Sequence, residues 1–292
     1  MTTTHDERLR RPSGIRSLRL GGTKVSYVPD GAVRLRPTAV LPDTTDRTWA
    51  DHPEYLDATG HLAGSVGALL VENGDRALLI DSGFGPRSYR PGPDGPIEEI
   101  HGGALLDGLA ELGRAPEDIE AIAFTHLHAD HLGWACLPVP GTGRLAFGHA
   151  RHLLSEQEWD SRDELAAQGL ADEVAALAPR VHTVADGQEI FPGVHARIVP
   201  GHTAGHAEYV ITGGGRRLIA FGDAAHSPLQ IDHPEWSSAF DHDPARTAAH
   251  RRRLVTELAE PGTLGFGVHF ADVVFGHANP SDGRPTWRPA TA

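Results

Sequence analysis

Residues 125–134 read THLHADHLGW and put His126, His128, Asp130 and His131 within six consecutive positions. Imidazole nitrogen and carboxylate oxygen are donors that zinc and other borderline divalent ions accept readily. Four donors in one tight turn cannot all face one tetrahedral centre. His126 and His128, two residues apart on a loop, can fold toward one point, while Asp130 and His131 face a second. Ligands from elsewhere complete the count: His202 in PGHTAGH (200–206), Asp223 in FGDAAH (221–226) and His269 in GVHF (267–270). The set then divides into His126, His128 and His202 on one ion and Asp130, His131 and His269 on the other, with Asp223 between them. Two divalent ions about 3.5–4 Å apart can hold a shared water as hydroxide at neutral pH and steady the oxygen that becomes negative. That chemistry opens a lactone, ester or phosphotriester without a protein nucleophile, with Asp130 hydrogen-bonded to the hydroxide. No GxSxG string occurs, and the single cysteine, Cys136, shows no sign of activation. Asp81 is expected to accept a hydrogen bond from a ligand histidine or to fix the DSG turn.

These residues need a scaffold, and the chain supplies one regularity. ALLI (77–80) runs into Asp81, AIAF (121–124) into Thr125 and His126, HARIV (195–199) into His202, and RLIAFG (217–222) into Asp223. Each polar residue sits where an apolar strand ends, and loops at the ends of buried strands are where catalytic groups are usually mounted. VGALLV (66–71) and ALLI, separated by ENGD, predict a hairpin. GGALLDGLAELG (102–113) has helical spacing, residues 119–124 a strand, 151–178 helix and 243–259 a closing helix. Alternation of strand and helix predicts a layered α/β fold. Residues 1–28 are expected to form an N-terminal arm and 29–292 a single catalytic domain, with 29–60, punctuated by Pro29, Pro37, Pro42 and Pro53, an irregular lead-in.

Composition narrows the function further. Twenty-six Lys and Arg against 39 Asp and Glu leave a net charge of −13, which argues against nucleic acid as a partner. No apolar run is long enough to span a membrane, and nothing near the start resembles a signal peptide, so a cytoplasmic protein is expected. The N-terminal arm either embraces a second copy, giving a homodimer, or stays disordered.

In their order along the chain, THLHADH, PGHTAGH, the strand-ending GDA and the late GVHF closely resemble the metallo-β-lactamase superfamily of dinuclear metallohydrolases, over roughly residues 60–280. The resemblance implies a four-layer αββα sandwich with the site at one edge between the sheets, and two divalent ions; the donors suit zinc first, and the same nitrogen and oxygen ligands also serve iron, manganese and cobalt. Flavodiiron relatives carry glutamate at the place of His128, true metallo-β-lactamases lack the bridging Asp223, RNA-processing relatives need a large insert, and glyoxalase II enzymes add a basic helical C-terminus. What remains is most like the quorum-quenching lactonase and methyl parathion hydrolase branch, which implies a small-molecule lactone, ester or phosphotriester substrate. A thioesterase or a non-hydrolytic lyase could use the same metal site. Where acyl-lactonases commonly carry a tyrosine that touches the substrate oxygen, this chain has His226, either a proton donor or a wall of the pocket. Trp134, Trp236, Phe240 and Phe270 are expected to line an apolar pocket.

Overall fold

The computed structural model describes residues 5–280 and 284–290. Among them, two sheets carry the architecture. The first contains β1 (Arg16–Leu20), β2 (Thr23–Leu35), β3 (Leu62–Asn73), β4 (Arg76–Ile80), β5 (Ser88–Tyr89), β6 (Ile97–His101), β7 (Ile119–Ala123), β8 (Arg151–Ser155) and β9 (Val181–Val184). Its strand order is β5-β6-β2-β3-β4-β7-β8-β9, with β1 paired to β2. The second runs in sequence order through β10 (Glu189–Phe191), β11 (Val194–Ile198), β12 (Ala207–Gly213), β13 (Arg216–Ala220), β14 (Thr263–Phe266), β15 (Phe275–Asn279) and β16 (Thr286–Pro289).

Side-chain alternation explains why the central strands read as unbroken apolar runs. Leu78 and Ile80 of β4 and Tyr27 of β2 fill the core between the two sheets from one side, and Tyr209, Leu218, Ala220 and Phe266 of β12, β13 and β14 from the other. Their neighbours point outward. Leu79 and Ile122 pack against Leu105, Leu109 and Leu132 from the helices Leu105–Glu111 and Ala129–Cys136, while Ile219 packs against Leu254, Val255 and Leu258 of the helix Pro244–Leu258. A strand buried on both faces has no polar side to show. Four layers result, helix, sheet, sheet, helix, as the resemblance implied. The β3–β4 hairpin also forms as expected, turning at Gly74 with Asn73 opposite Arg76.

The arm expected over residues 1–28 requires correction. Residues 1–4 lie outside the described part, but Leu9 is buried and residues 16–35 form β1 and β2, the second of which lies inside the first sheet between β6 and β3. Two things hid them. β1 is an edge strand that pairs with β2 and carries two arginines, Arg16 and Arg19, in five residues, and Pro29, which reads as loop punctuation, sits at a bulge where the β2–β3 register shifts between Pro29 and Gly31. Proline is tolerated at bulges, where the strand does not need its missing N–H. The irregular lead-in therefore begins only after Leu35. Two further expectations shift: 151–155 is the strand β8 rather than the start of a helix, and β14 to β16 include three strands beyond the helix taken as closing the fold.

Candidate metal centre

Five strands deliver their C-terminal ends to one edge. β4 and β7 are parallel, β13 and β14 are parallel, and β11 points the same way as β13 through two antiparallel steps. Asp81 follows β4, His126 and His128 follow β7, His202 follows β11, Asp223 follows β13 and His269 follows β14. All seven expected ligand residues meet there. The helix Ala129–Cys136 carries Asp130 and His131 on its first turn, where a carboxylate suits the positive end of the helix. It docks backbone to backbone on the 81–85 loop: Ser82 N–H donates to His131 O (2.6 Å) and Gly133 N–H to Gly83 O (2.8 Å). Gly133 is required by this approach, since a Cβ there would lie 2.1 Å from the Phe84 carbonyl carbon.

The donor atoms form two groups that could each hold an ion: His126, His128, His202 and Asp223, and then Asp130, His131 and His269. His128 Nδ1 lies 2.9 Å from His126 Nε2 and 3.1 Å from His202 Nε2. Tetrahedral zinc with bonds of about 2.0–2.1 Å would set its nitrogens about 3.3 Å apart, so the spacing is close to that of a coordination shell. Asp223 splits its two oxygens between the groups. Oδ2 is 3.4 Å from His202 Nε2 and 3.7 Å from His126 Nε2, whereas Oδ1 is 3.2 Å from His269 Nε2 and 3.4 Å from His131 Nε2. Asp130 closes the second group, with Oδ1 3.8 Å from His131 Nε2 and Oδ2 3.6 Å from His269 Nε2. His131 Nε2 and Asp223 Oδ1 are buried with no hydrogen-bond partner. Buried polar atoms are seldom left so, and here both face into the group of donors. Shared oxygens, nitrogen donors and orphaned atoms together fit a pair of borderline divalent ions.

The surroundings of the histidines fix which nitrogen is offered. Carboxylate and carbonyl oxygens only accept, so His131 Nδ1–H donates to Asp81 Oδ2 (2.9 Å), His202 Nδ1–H to Asp241 Oδ1 (3.1 Å) and His269 Nδ1–H to Ser65 O (2.9 Å). Thr125 Oγ1 gives its hydrogen to Asp81 and accepts from His126 Nδ1–H at 3.0 Å. Each of these rings then turns an Nε2 lone pair inward, the form a metal requires. Asp81 holds a left-handed backbone (φ 61°), rare for a residue with a side chain, and keeps it because Thr125 N–H donates to its Oδ1 (2.8 Å) and His131 to its Oδ2. Burial, reinforced by His131 and His128, holds the His126 imidazolium well below its ordinary pKa, and burial with His128 does the same for His202. Burial would raise Asp223, but His269, His131, His226 and His126 outweigh it and keep its carboxyl well below the usual range. Burial likewise opposes charge on His131, yet Asp223, Asp81 and Asp130 raise it well above the ordinary value. The cluster thus gathers its imidazoles around the Asp223 and Asp130 carboxylates.

A cleft of about 610 Å³ opens onto the group. Its walls are Val33, Leu35, Phe84, Ile97, Ile100, Leu170 and Phe240, and its floor includes His128, Asp130, Asp223, His226 and His269. Of the aromatics expected there, only Phe240 lines it. Trp134 turns away to donate its indole N–H to Asp30 Oδ1 (2.7 Å), Phe270 packs in the outer core with Phe221 and Trp287, and Trp236 stacks on His233. His226 stands at the floor with Nε2 3.2 Å from Asp223 Oδ2, its ring stacked on that of His269, and neither ring nitrogen hydrogen-bonded. Cys136 ends the helix rather than lying on a loop, and burial pushes its thiol pKa up, which makes it inert. His206 Nε2 accepts the Asp223 backbone N–H at 3.1 Å.

Several carboxylates escaped the sequence reading. Glu158 ties two ligand loops: Oε1 accepts from Leu127 N–H (3.0 Å), and Oε2 accepts from Thr203 Oγ1 (2.6 Å) and Gly205 N–H (3.0 Å). Ser155 followed by Glu158 is a helix-capping signature, and Ser155 does cap Glu158 N–H. The glutamate, however, leaves the helix end for the loops. Asp30, 1% exposed, accepts from Phe84, Gly85, Gly103 and Leu105 N–H groups as well as Trp134. Asp241 orients His202 and also accepts from Ser238 N–H (3.0 Å).

A model of the metallo-beta-lactamase superfamily matches residues 62–267. A probable metallo-hydrolase of Mycobacterium tuberculosis is 28% identical over 185 residues, 56% of this chain and 58% of that protein, so the chain spans little more than half of that relative's length. An N-acyl homoserine lactonase of Bacillus cereus is 24% identical over 261 residues, covering 82% of this chain and 90% of the lactonase. In three dimensions the chain is similar to AidC, a dizinc quorum-quenching lactonase solved in complex with a product. The TM-score is 0.80 at 21% identity, covering 96% of this chain and 98% of AidC. At that identity the likeness speaks for the fold. No helix among the described residues is long and apolar enough to cross a membrane.

Proposed function

The chain belongs to the metallo-β-lactamase superfamily, and on that premise we propose that it is a dinuclear metal-dependent hydrolase of small, largely apolar lactones or esters, with phosphotriesters as the related class. The observation that carries this reading is Asp223, whose two oxygens address two separate ligand groups at the floor of an apolar cleft. His126, His128 and His202 would hold one divalent ion, Asp130, His131 and His269 the other, and Asp223 both, with zinc the preferred metal for nitrogen and oxygen donors of this kind. Such a pair supplies Lewis acidity and brings a water pKa from 15.7 toward about 7.

The remaining work falls to the protein's own groups. Val33, Leu35, Phe84, Ile97, Ile100 and Phe240 hold the apolar part of the substrate and exclude bulk water from the reacting carbonyl. Asp130 accepts a hydrogen bond from the attacking water and orients it. As the C–O bond of the lactone or ester breaks, His226 Nε2, on the floor beside Asp223, donates the proton that the departing alkoxide requires and is resupplied by the proton that the attacking water gives up.

The wall argues against the alternative, a thioesterase or lyase working on an anionic carrier. Arg87 is the arginine among the described residues lining the cleft, and its nitrogens are engaged by Phe84 O, Glu173 Oε1 and Ala129 O, each at 3.0 Å. Three of its five N–H groups are thus tied to the protein, and no lysine or second arginine among the described residues lines the cleft to meet a carrier phosphate. Zinc-loaded protein should therefore turn over N-acyl homoserine lactones or aryl esters with kcat/KM on the order of 10²-fold above acyl thioesters of matched chain length. Chelation should abolish the activity and zinc restore it. A preference for thioesters would establish the alternative, and two bound ions without turnover on any of these substrates would identify a binding protein.

Asp241 offers an independent check. Its carboxylate holds the His202 ring from outside the ligand group, so Asp241→Ala should weaken metal binding by about 10- to 100-fold while leaving every ligand in place. Competition against a chromogenic chelator measures it, and unchanged affinity would remove Asp241 from the account.

A further inference from the structure

We infer that Asp272, together with the N-terminal segment it binds, is a positioning device for His269 and so for one ion of the proposed pair. The inference rests on the dinuclear reading above and extends it to residues far from the site in sequence.

Asp272 is 1% exposed although it is a carboxylate on a loop. Arg16 meets its Oδ1 (2.5 Å) and Arg11 its Oδ2 (2.8 Å), Ser13 Oγ donates to Oδ1 (3.1 Å), and Arg8 donates to its carbonyl oxygen. The Asp272 N–H in turn donates to Arg8 O at 3.1 Å. Three arginines and a serine from residues 8–16 thus converge on one residue three positions beyond His269. A buried ion pair is weak evidence for stability, because desolvation offsets much of the attraction, but it fixes geometry.

A second set of contacts runs from the same segment to the ligand itself. Ser13 N–H donates to Ser65 Oγ (2.7 Å), Ser65 Oγ donates to Ala271 O (2.8 Å), and Ser65 O accepts from His269 Nδ1 (2.9 Å). Ser65 therefore sets the ring of His269 with one atom and the loop beyond it with another. Ala271, between ligand and anchor, has φ 44°, a left-handed conformation that a residue with a side chain keeps only when its neighbours hold it. Leu9 of the same segment is buried in the outer core with Phe270. None of these contacts reaches His126, His128 or His202. Releasing the segment should loosen His269 alone.

The test counts ions one at a time. Wild type, Asp272→Asn and the double variant Arg11→Gln/Arg16→Gln are loaded with zinc and challenged with rising chelator, and the zinc retained is measured by mass spectrometry. Cobalt-loaded samples supply an absorption spectrum for each ion, and circular dichroism monitors the fold. Wild type should retain two ions, whereas each variant should release one of them at roughly 10- to 100-fold lower chelator and hold the other as wild type does. The double variant keeps the fold testable should burying an asparagine prove too costly. Release of both ions in step with wild type, or earlier release of both together, would overturn the inference. A wild type that never binds two ions would overturn the dinuclear reading itself, and this inference with it.

Discussion

Asp223→Ala is expected to abolish the binding of two ions and to lower kcat/KM by on the order of 10⁴-fold or more. The size follows from the water: where no ion remains its pKa returns toward 15.7 from about 7, and where one remains the second ion that orients the substrate and steadies the developing negative charge is lost. Loss of this one residue reaches both halves of the site. Its Oδ2 faces His202 and His126, its Oδ1 faces His131 and His269, and no other described carboxylate touches both groups. His126→Ala should be equally inactive but instructive in another way. It removes a donor from only one group, so the Asp130, His131 and His269 side can still take an ion while activity disappears. Metal analysis beside steady-state kinetics separates the two variants. An Asp223→Ala protein that retains two ions and full turnover would show that the carboxylate is not shared and that the site is organised otherwise.

Why this cluster was legible in the sequence, and its supports were not, is a matter of what is covalently local. His126, His128, Asp130 and His131 are neighbours in the chain, His202 and Asp223 each follow a strand whose apolar run marks its own end, and His269 is marked by the GVHF string. Strand ends at one edge of a sandwich lie near each other, so the local strings, with the family resemblance they carry, were enough to gather the ligands. Asp241, Glu158, Asp30 and Asp272 carry no such mark. Asp30 receives donors from residues 84, 85, 103, 105 and 134, and no pattern around position 30 announces them. A buried carboxylate looks like any surface carboxylate until the fold closes over it.

The aromatic residues failed for a related reason. Phe270 is adjacent to His269, but successive side chains there point to opposite sides, one to the donors and the other to the outer core. Trp134 lies one turn beyond His131 on a helix whose buried face looks toward Asp30 rather than the cleft. Nearness in sequence to a ligand gives no direction. The cleft walls come instead from Val33, Leu35, Ile97 and Ile100 on β2 and β6, strands that lie beyond the motifs. Their contribution depended on recognising β2 as a strand at all, which the bulge at Pro29 concealed.

His226→Ala addresses the step that the ions alone do not supply, and it should retain both ions while lowering kcat by about 10²-fold or more. The prediction turns on where the ring stands. Nε2 is 3.2 Å from Asp223 Oδ2, close enough to share the reacting region, yet His226 belongs to neither group of donors that could enclose an ion. Its backbone is fixed independently, the N–H donating to Gln230 Oε1 at 2.7 Å, and its ring stacks on His269 with 5.6 Å between centroids. Both ring nitrogens are buried without a partner, so a substrate oxygen in the cleft would meet a donor not already engaged. A donor needed only as the leaving oxygen gains charge should lower kcat with little change in KM, and the loss should be smallest for esters whose alcohols leave easily. His226→Tyr, which restores an O–H donor at the same place, should recover part of the rate. Metal content decides between a donor and a ligand: if His226→Ala releases an ion, the ring is part of the coordination shell and the proton must come from elsewhere. If both ions stay and every substrate turns over at the wild-type rate, His226 is only a wall of the cleft.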